Sequence, residues 1–276
     1  TDAPTDVPTD APTPAPTDAP TDAPTPAPTP NPCGTGVVGQ VATTCEFSVQ
    51  SGDDLNARLA AVDTSVITDV SVVFQPGTTV IASPVALGDY NSNIRCCCTV
   101  GCGVTVQNGF ELTAFTSSGL TRSIQFTDLE FIDTCHAIQI SGAASVQVVD
   151  CGFNNIGWDG VPPAENTAET WQTANVCNNL GSAIEVVNTP GVVIQSSSVT
   201  NSLQGIRLED CAGAQITNND VQGCARVAIE LDSSTGDGLA GCTNTVVSGN
   251  EIRNNRDIGI HVIGGSTTSV NDNVIL

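Results

Sequence analysis

Glu185, Arg207, Glu230 and His261 follow one another at intervals of 22, 23 and 31 residues, and each sits between two apolar neighbours: Ile184/Val186, Ile206/Leu208, Ile229/Leu231 and Ile260/Val262. In an extended strand such neighbours point one way and the residue between them points the other. If the apolar pairs face a core, the four polar residues form one outward row, and the next outward position adds Glu209 and Asp232. Carboxylates and an imidazole on one face are the groups that move protons at a glycosidic bond, and the acids are also able to hold calcium. Asp232 and Asp237 offer oxygen ligands for that ion without the ordered spacing of a calcium loop, and surface acidity explains them equally well. Trp158 and Trp171 fall in an insertion of about residues 155–180, where their rings would stack on sugars or anchor a protein partner. The same Glu–Arg–Glu row is also what charge pairing between neighbouring strands produces, with His261 capping it. The reading leans against catalysis. If the chain is an enzyme, it is a polysaccharide lyase, a glycoside hydrolase or an epimerase.

Only a repeating architecture can stack those residues. One column of apolar pairs runs Phe126/Phe131, Val148/Phe153, Ile194/Val199, Ile216/Val221, Val247/Ile252 and Val270/Ile275, with steps of 22, 46, 22, 31 and 23 residues. The second column is the one that brackets the polar row, extended upstream by Ile138/Ile140, with steps of 46, 22, 23 and 31. Two independent columns with a unit near 22 residues predict a solenoid in which each unit is one coil, strands stack in parallel at ~4.8 Å, and the longer steps carry loops. Asn219, Asn250 and Asn273 share one place in the first column, which predicts an asparagine ladder at a turn that tolerates left-handed backbone. Upstream, Asp53 to Val62 reads as a short amphipathic helix that closes the first coil.

A capping helix, a strand ending in Pro76-Gly77-Thr78, short Ile-x-Val/Leu strands and Asn-rich turns together resemble the right-handed parallel β-helix proteins of the pectin-lyase-like superfamily over about residues 37–276. The resemblance implies the fold. It leaves the activity open, because that superfamily holds lyases, hydrolases, epimerases, adhesins and structural proteins. Polysaccharide-active members use an exposed face of the kind described. The aspartate-rich and Gly-His-Gly motifs of polygalacturonases, the Asp-Pro-His-Asp run of mannuronan epimerases and a catalytic lysine are all missing from this sequence.

Residues 1–32 are eight uninterrupted Thr-x-x-Pro tetrads, so Thr1, Thr5, Thr9, Thr13, Thr17, Thr21, Thr25 and Thr29 each open one. Proline at this density removes donors and fixes φ, which excludes helix and sheet and predicts extended polyproline II. At ~3.1 Å per residue the segment reaches on the order of 100 Å. Composition alone fits a disordered linker or an O-glycosylated stalk. No Asn-x-Ser/Thr sequon occurs with a middle residue other than proline, so any glycan is expected on the tail threonines. The repeat resembles heavily O-glycosylated surface and wall proteins of algae and related microbes, including glycan-coated fibrils built on Thr-x-x-Pro chains.

The formal charge of −22, from 29 acids against seven arginines, repels nucleic acid and anionic membrane surfaces. Twelve cysteines, Cys33, Cys45, Cys96, Cys97, Cys98, Cys102, Cys135, Cys151, Cys177, Cys211, Cys224 and Cys242, suit an oxidising compartment and are read as disulfide candidates. Cys33 with Cys45 is expected to pin the tail junction, and Cys96 to Cys98 to brace the first coils. A thiolate metal cluster at Cys96, Cys97, Cys98 and Cys102 is the rival, but with His136 and His261 as the only histidines the spacing matches no standard zinc module. No apolar run is long enough to span a bilayer, no signal peptide is visible, and the pattern stops at Val274-Ile275-Leu276 without a polar cap. The expectation is that the natural chain continues there or a second subunit docks.

These features give an all-β chain: a Thr-x-x-Pro tail at 1–32 and a right-handed parallel β-helix at 33–276. The expected role is an extracellular structural glycoprotein that assembles with copies of itself into a fibre, sheath or appendage, needs no cofactor apart from possible calcium, and carries O-glycans. The alternatives are a stalk-tethered polysaccharide enzyme acting on the exposed face, and a glycan-binding adhesin.

Overall fold

The structure is a computed structural model that describes residues 33–34, 37–41, 43–75, 77, 79–81, 83–96, 103–106, 113–118, 122–157, 181–234 and 241–276; for 37–41, 79–81, 96 and 103–106 it describes the backbone alone. The chain divides into two units, Thr1–Pro30 and Asn31–Leu276. The tail repeats lie outside the described residues.

The second unit is a parallel β-helix. Three sheets run its length, and the chain visits them in rotation once per coil. The first sheet stacks Val37–Val41, Thr44–Val49, Asp69–Phe74, Asn91–Cys96, Ser123–Thr127, Ser145–Val149, Val193–Gln195, Gln215–Thr217, Val246–Ser248 and Ser269–Asn271. The second stacks Thr79–Ile81, Gly103–Val106, Glu130–Ile132, Gly152–Asn154, Ser198–Thr200, Asp220–Gln222, Glu251–Arg253 and Val274–Ile275. The third stacks Val85–Ala86, Thr113–Ser118, His136–Ser141, Ser182–Val187, Gln204–Glu209, Val227–Asp232 and Ile258–Val262. All neighbours pair in parallel except Val37–Val41, which turns back antiparallel on Thr44–Val49. The two apolar columns predicted from the sequence are in register, with Phe126, Val148, Ile194, Ile216, Val247 and Val270 stacked on the first sheet. Ile138, Ile184, Ile206, Ile229 and Ile260 are stacked on the third.

The corners explain why the repeat tolerates so few residue types. A single left-handed residue turns the chain at equivalent places in successive coils: Asp128, Asp150, Ser196, Asn218, Gly249 and Asp272 at one corner, and Asp133, Asn155, Asn201, Gly223 and Asn254 at the next. Gly, Asn and Asp reach this region at the lowest steric cost. The asparagine ladder is present: Asn219 Nδ2 donates to Asn250 Oδ1 at 2.9 Å, and Asn250 Nδ2 to Asn273 Oδ1 at 2.9 Å. Its members are not the left-handed residues, contrary to the expectation. Left-handed geometry falls on the preceding position, and that turn is what aims the next side chain inward, where its amide satisfies the backbone of the coils on either side.

The core changes character along the axis. In the early coils Phe74, Phe115, Phe126, Phe131 and Phe153 make edge and stacked contacts, the closest with 5.0 Å between the centroids of Phe131 and Phe153. Later coils fill the same columns with Ile, Val and Leu. The helix spans Leu55–Ala60, capped by Asp54 accepting from the Ala57 N–H at 2.9 Å, and it buries Leu55 and Leu59. It is the short helix expected, trimmed at both ends. Among the described residues no helix is long and apolar enough to cross a membrane.

Candidate functional site

The polar row is real. Glu185, Arg207, Glu230 and His261 are successive partners in the third sheet, one per coil; the first three point outward between buried neighbours, and His261 lies between the half-buried Ile260 and the exposed Val262. Arg207 stands at the centre. Its guanidinium meets Glu185 at 2.6 Å, Glu209 at 2.6 Å, Asp232 at 3.1 Å and Glu230 at 3.6 Å, with 21% of the side chain exposed. Burial opposes its charge, but the bond to Asp232 and the fields of Glu185 and Glu209 outweigh it and hold Arg207 well above its ordinary value.

Two glutamines complete the row. Gln139 Nε2 donates to Glu185 Oε2 at 2.9 Å, and Gln204 Nε2 donates to Glu230 Oε2 at 2.9 Å. Glu185 therefore commits one oxygen to Arg207 and the other to Gln139. Glu230 divides between Gln204 and His261, whose Nδ1 lies 3.4 Å away. At the other end of the row His136 Nδ1 accepts the Ser182 N–H at 3.3 Å, so that nitrogen carries no proton. Burial lowers the His136 pKa despite the nearby Glu185, and the 3.6 Å approach of those two groups is accordingly not an ion pair of two charges. The sequence reading missed His136, Gln139 and Gln204. Gln139 had a signal, since it lies between the stacked Ile138 and Ile140.

The other outward face is unlike this one. Across the strands from Thr44–Val49 to Ser145–Val149, the first sheet forms a groove of about 480 Å³ lined outward by Thr44, Asp69, Ser71, Asn91, Asn93, Ser123, Gln125, Ser145 and Gln147. One row of it is bonded internally: Asn91 Nδ2 to Asp69 at 3.0 Å, Ser123 N–H to Asn91 Oδ1 at 3.2 Å, and Ser145 to Ser123 hydroxyl at 2.9 Å. In the parallel row Ser71, Asn93, Gln125 and Gln147 are in register.

The cysteines fall into two groups. Cys33 and Cys45 are joined as expected, with Cα atoms 5.7 Å apart, and Cys135 is also disulfide-bonded. Cys151, Cys211, Cys224 and Cys242 are buried free thiols in this structure. Cys151 and Cys224 occupy inward corner columns in which the next coil carries Ser or Asn: the Cys151 N–H donates to Ser197 Oγ at 3.2 Å, and the Cys224 N–H to Asn255 Oδ1 at 2.8 Å. Neither has a cysteine in the coil above or below. Burial pushes both thiols up to about 12, so they are inert at neutral pH.

Of the remaining candidates, Asp232 is taken up by Arg207, and among the described residues no group of three or more His, Cys, Asp and Glu is placed to hold a metal ion. Trp158, Trp171, Asp237, the eight tail threonines, Cys97, Cys98, Cys102, Cys177 and the side chain of Cys96 lie outside the described residues.

Two solved structures are distantly similar. The Dettilon tailspike protein gp208 shares 11% identity at a TM-score of 0.34, over 75% of this chain and 42% of that one. ORF18 of Geobacillus virus E2 shares 10% at a TM-score of 0.17, over 82% and 55%. The chain thus spans less than two thirds of either. No curated protein matches it significantly. The family model described as a right-handed beta helix region matches residues 90–275, and with the stacked coils already described it places the chain in the right-handed β-helix family.

Proposed function

We propose that this chain is an extracellular structural glycoprotein, a subunit of a fibre, sheath or surface appendage whose Thr-x-x-Pro segment is an O-glycosylated linker. The observation that carries the reading is the commitment of the Arg207 row. Four carboxylates share one guanidinium, and the oxygens of Glu185 and Glu230 are further engaged by Gln139, Gln204 and His261. A general acid must present its proton to a substrate and a general base an unspent lone pair. Here the same groups hold successive coils together, which is what a rod requires. The Cys33–Cys45 disulfide fits an oxidising compartment, and the tail composition fits a glycosylated spacer.

The test is electron microscopy and intact-mass analysis of native material. Regular fibres with hexose or pentose on residues 1–32 are expected. Unmodified monomers would refute the reading and return attention to Glu230→Gln and His261→Ala variants assayed on acidic polysaccharides.

One observation favours a second reading, a glycan-binding module. The groove of the first sheet presents amides and hydroxyls in register, and the side chains of Ser71, Asn93, Gln125 and Gln147 make no hydrogen bond to any described residue. Each amide offers donors and an acceptor, the complement of sugar hydroxyls. Titration with neutral oligosaccharides separates this reading from the first.

A further inference from the structure

Two of the four free thiols among the described residues stand one above the other. Cys211 lies at the corner that follows Gln204–Glu209, and Cys242 occupies the same corner one coil later. Backbone bonds on either side fix the register: the Asp210 N–H donates to Asp232 O at 3.2 Å, and the Gly213 N–H to Thr243 O at 2.8 Å. Residues stacked this way are separated by about 4.8 Å, inside the range of roughly 4.4–6.8 Å that a cystine requires between its Cα atoms. The Cys211 N–H reaches Cys242 Sγ at 3.3 Å, and both side chains are buried.

The rest of the column gives the contrast. One coil earlier its occupant is Thr189, whose hydroxyl accepts the Ala143 N–H at 3.2 Å, the bond that Cys242 Sγ accepts from Cys211. A hydroxyl therefore suffices for that backbone bond. Sulfur at two successive positions needs another reason, and Cys151 and Cys224 lack it because Ser197, Ser202 and Asn255 flank them in their columns. The two sulfurs also feel one another. Contact with Cys242 first and burial second push the Cys211 thiol up, while Cys211 holds Cys242 down, as an S–H donating to a neighbouring sulfur does.

We propose that Cys211 and Cys242 are an oxidation site, closing an inter-coil disulfide that staples the loop-bearing coil between them to the coil before it. The oxidant is a small-molecule disulfide of an oxidising compartment, met while this coil is still open during folding. One cysteine thiolate attacks a sulfur of that disulfide and expels a thiol, leaving a mixed disulfide on the protein. The second cysteine, deprotonated, attacks the protein sulfur of the mixed disulfide and expels the other thiol. The protein loses two electrons and two protons, and the oxidant gains them as two thiols. The closed loop contains every residue from 211 to 242, so the bond adds a covalent link between two coils that otherwise meet at this corner through hydrogen bonds alone.

The test is a peptide map of the whole chain, secreted into an oxidising compartment or refolded in a glutathione redox buffer. The protein is denatured without reductant, labelled with N-ethylmaleimide and cut before aspartate. Cleavage there separates Cys211 in 210–219, Cys224 in 220–231 and Cys242 in 237–256. The expected result is 210–219 joined to 237–256, two hydrogens lighter than the free pair, with Cys151 and Cys224 labelled. In Cys211→Ser protein, Cys242 is expected to take up label fully. Label on both Cys211 and Cys242 in the unaltered chain would overturn the proposal, and so would a Cys242 that stays unlabelled in Cys211→Ser because it is bonded elsewhere.

Discussion

The outward faces of the first and third sheets are built on the same ladder and differ in what they leave unspent. On the third sheet the polar groups are charged, and they consume one another: Arg207 is shared by four carboxylates, and each end of the row finishes on a histidine. On the first sheet the groups are almost all neutral; one row is bonded and its neighbour makes no side-chain hydrogen bond to any described residue. Chemistry-bearing residue types are therefore a poor guide to which outward groups stay unpaired in this fold. Parallel stacking brings outward residues of neighbouring coils into direct apposition, so charges of opposite sign find each other first. Neutral amides gain less from pairing, and on the first sheet one row of them stays unpaired among the described residues.

Breaking the charged face should have the largest effect. Arg207→Leu leaves Glu185, Glu209, Glu230 and Asp232 facing one another on a partly buried surface. Removing one partner of a buried ion network costs 3–5 kcal/mol, and the partial solvation here places the expected loss near the low end, at about 3 kcal/mol. Denaturant unfolding at neutral pH measures it. A loss below about 1 kcal/mol, the ordinary surface value, would mean that the row is not a structural element. On the neutral face the corresponding change, Asn91→Ala, removes the bond to Asp69 and the one accepted from Ser123. The expected cost is about 1 kcal/mol, so the ratio of the two losses measures how unlike the faces are.

Acid separates them further, with smaller effects. His136 is held below its ordinary value by burial, so as pH falls below about 6.5 the unfolded chain binds a proton before the folded one does and stability declines. Above that pH the histidine is neutral in both states and contributes nothing. His136→Gln should flatten this part of the stability profile. On the other face the hydroxyl of Thr68, then the amide of Asn91, lower the Asp69 pKa. Its contribution is present above the ordinary carboxylate value and is lost only as pH falls through the lower folded one. Mild acid should thus weaken the third sheet's row while leaving the first sheet's intact. A profile that His136→Gln leaves unchanged would show that this imidazole is not held neutral.

The architecture was legible because the coil length shows in apolar side chains alone: Ile216, Val247 and Val270 keep the register whatever loops intervene. The charged row was equally legible, since Glu185, Arg207, Glu230 and His261 inherit that register. What it does was not legible. The saturating partner Gln139 is neutral and drew no attention between Ile138 and Ile140, and His136 enters from the strand's first residue. The left-handed corners were misplaced by one position because an inward asparagine and a left-handed asparagine are the same letter, as Asn218 and Asn219 show side by side. The cysteines carry a related ambiguity. An inward corner accepts Ser, Thr, Asn or Cys as the acceptor of one backbone N–H, so a cysteine without a stacked partner, such as Cys151 or Cys224, need not imply a bond.

The smallest effect on stability tests the neutral face most sharply. Gln125 is half-buried in the groove and its side chain makes no hydrogen bond to any described residue, so Gln125→Trp should fill the space above Asn93 and Gln147 and change stability by no more than about 0.5 kcal/mol. If the groove takes neutral oligosaccharides, calorimetric titration of the unaltered chain detects binding and the variant abolishes it, whereas Arg207→Leu protein, assayed while still folded, binds normally. Binding that survives Gln125→Trp but fails in Arg207→Leu would move the site to the charged face and revive it as a ligand surface. Failure of every neutral glycan to bind would remove the second reading and leave the structural one, since a rod needs its outer faces only to stay ordered, and the charged row secures that without any ligand.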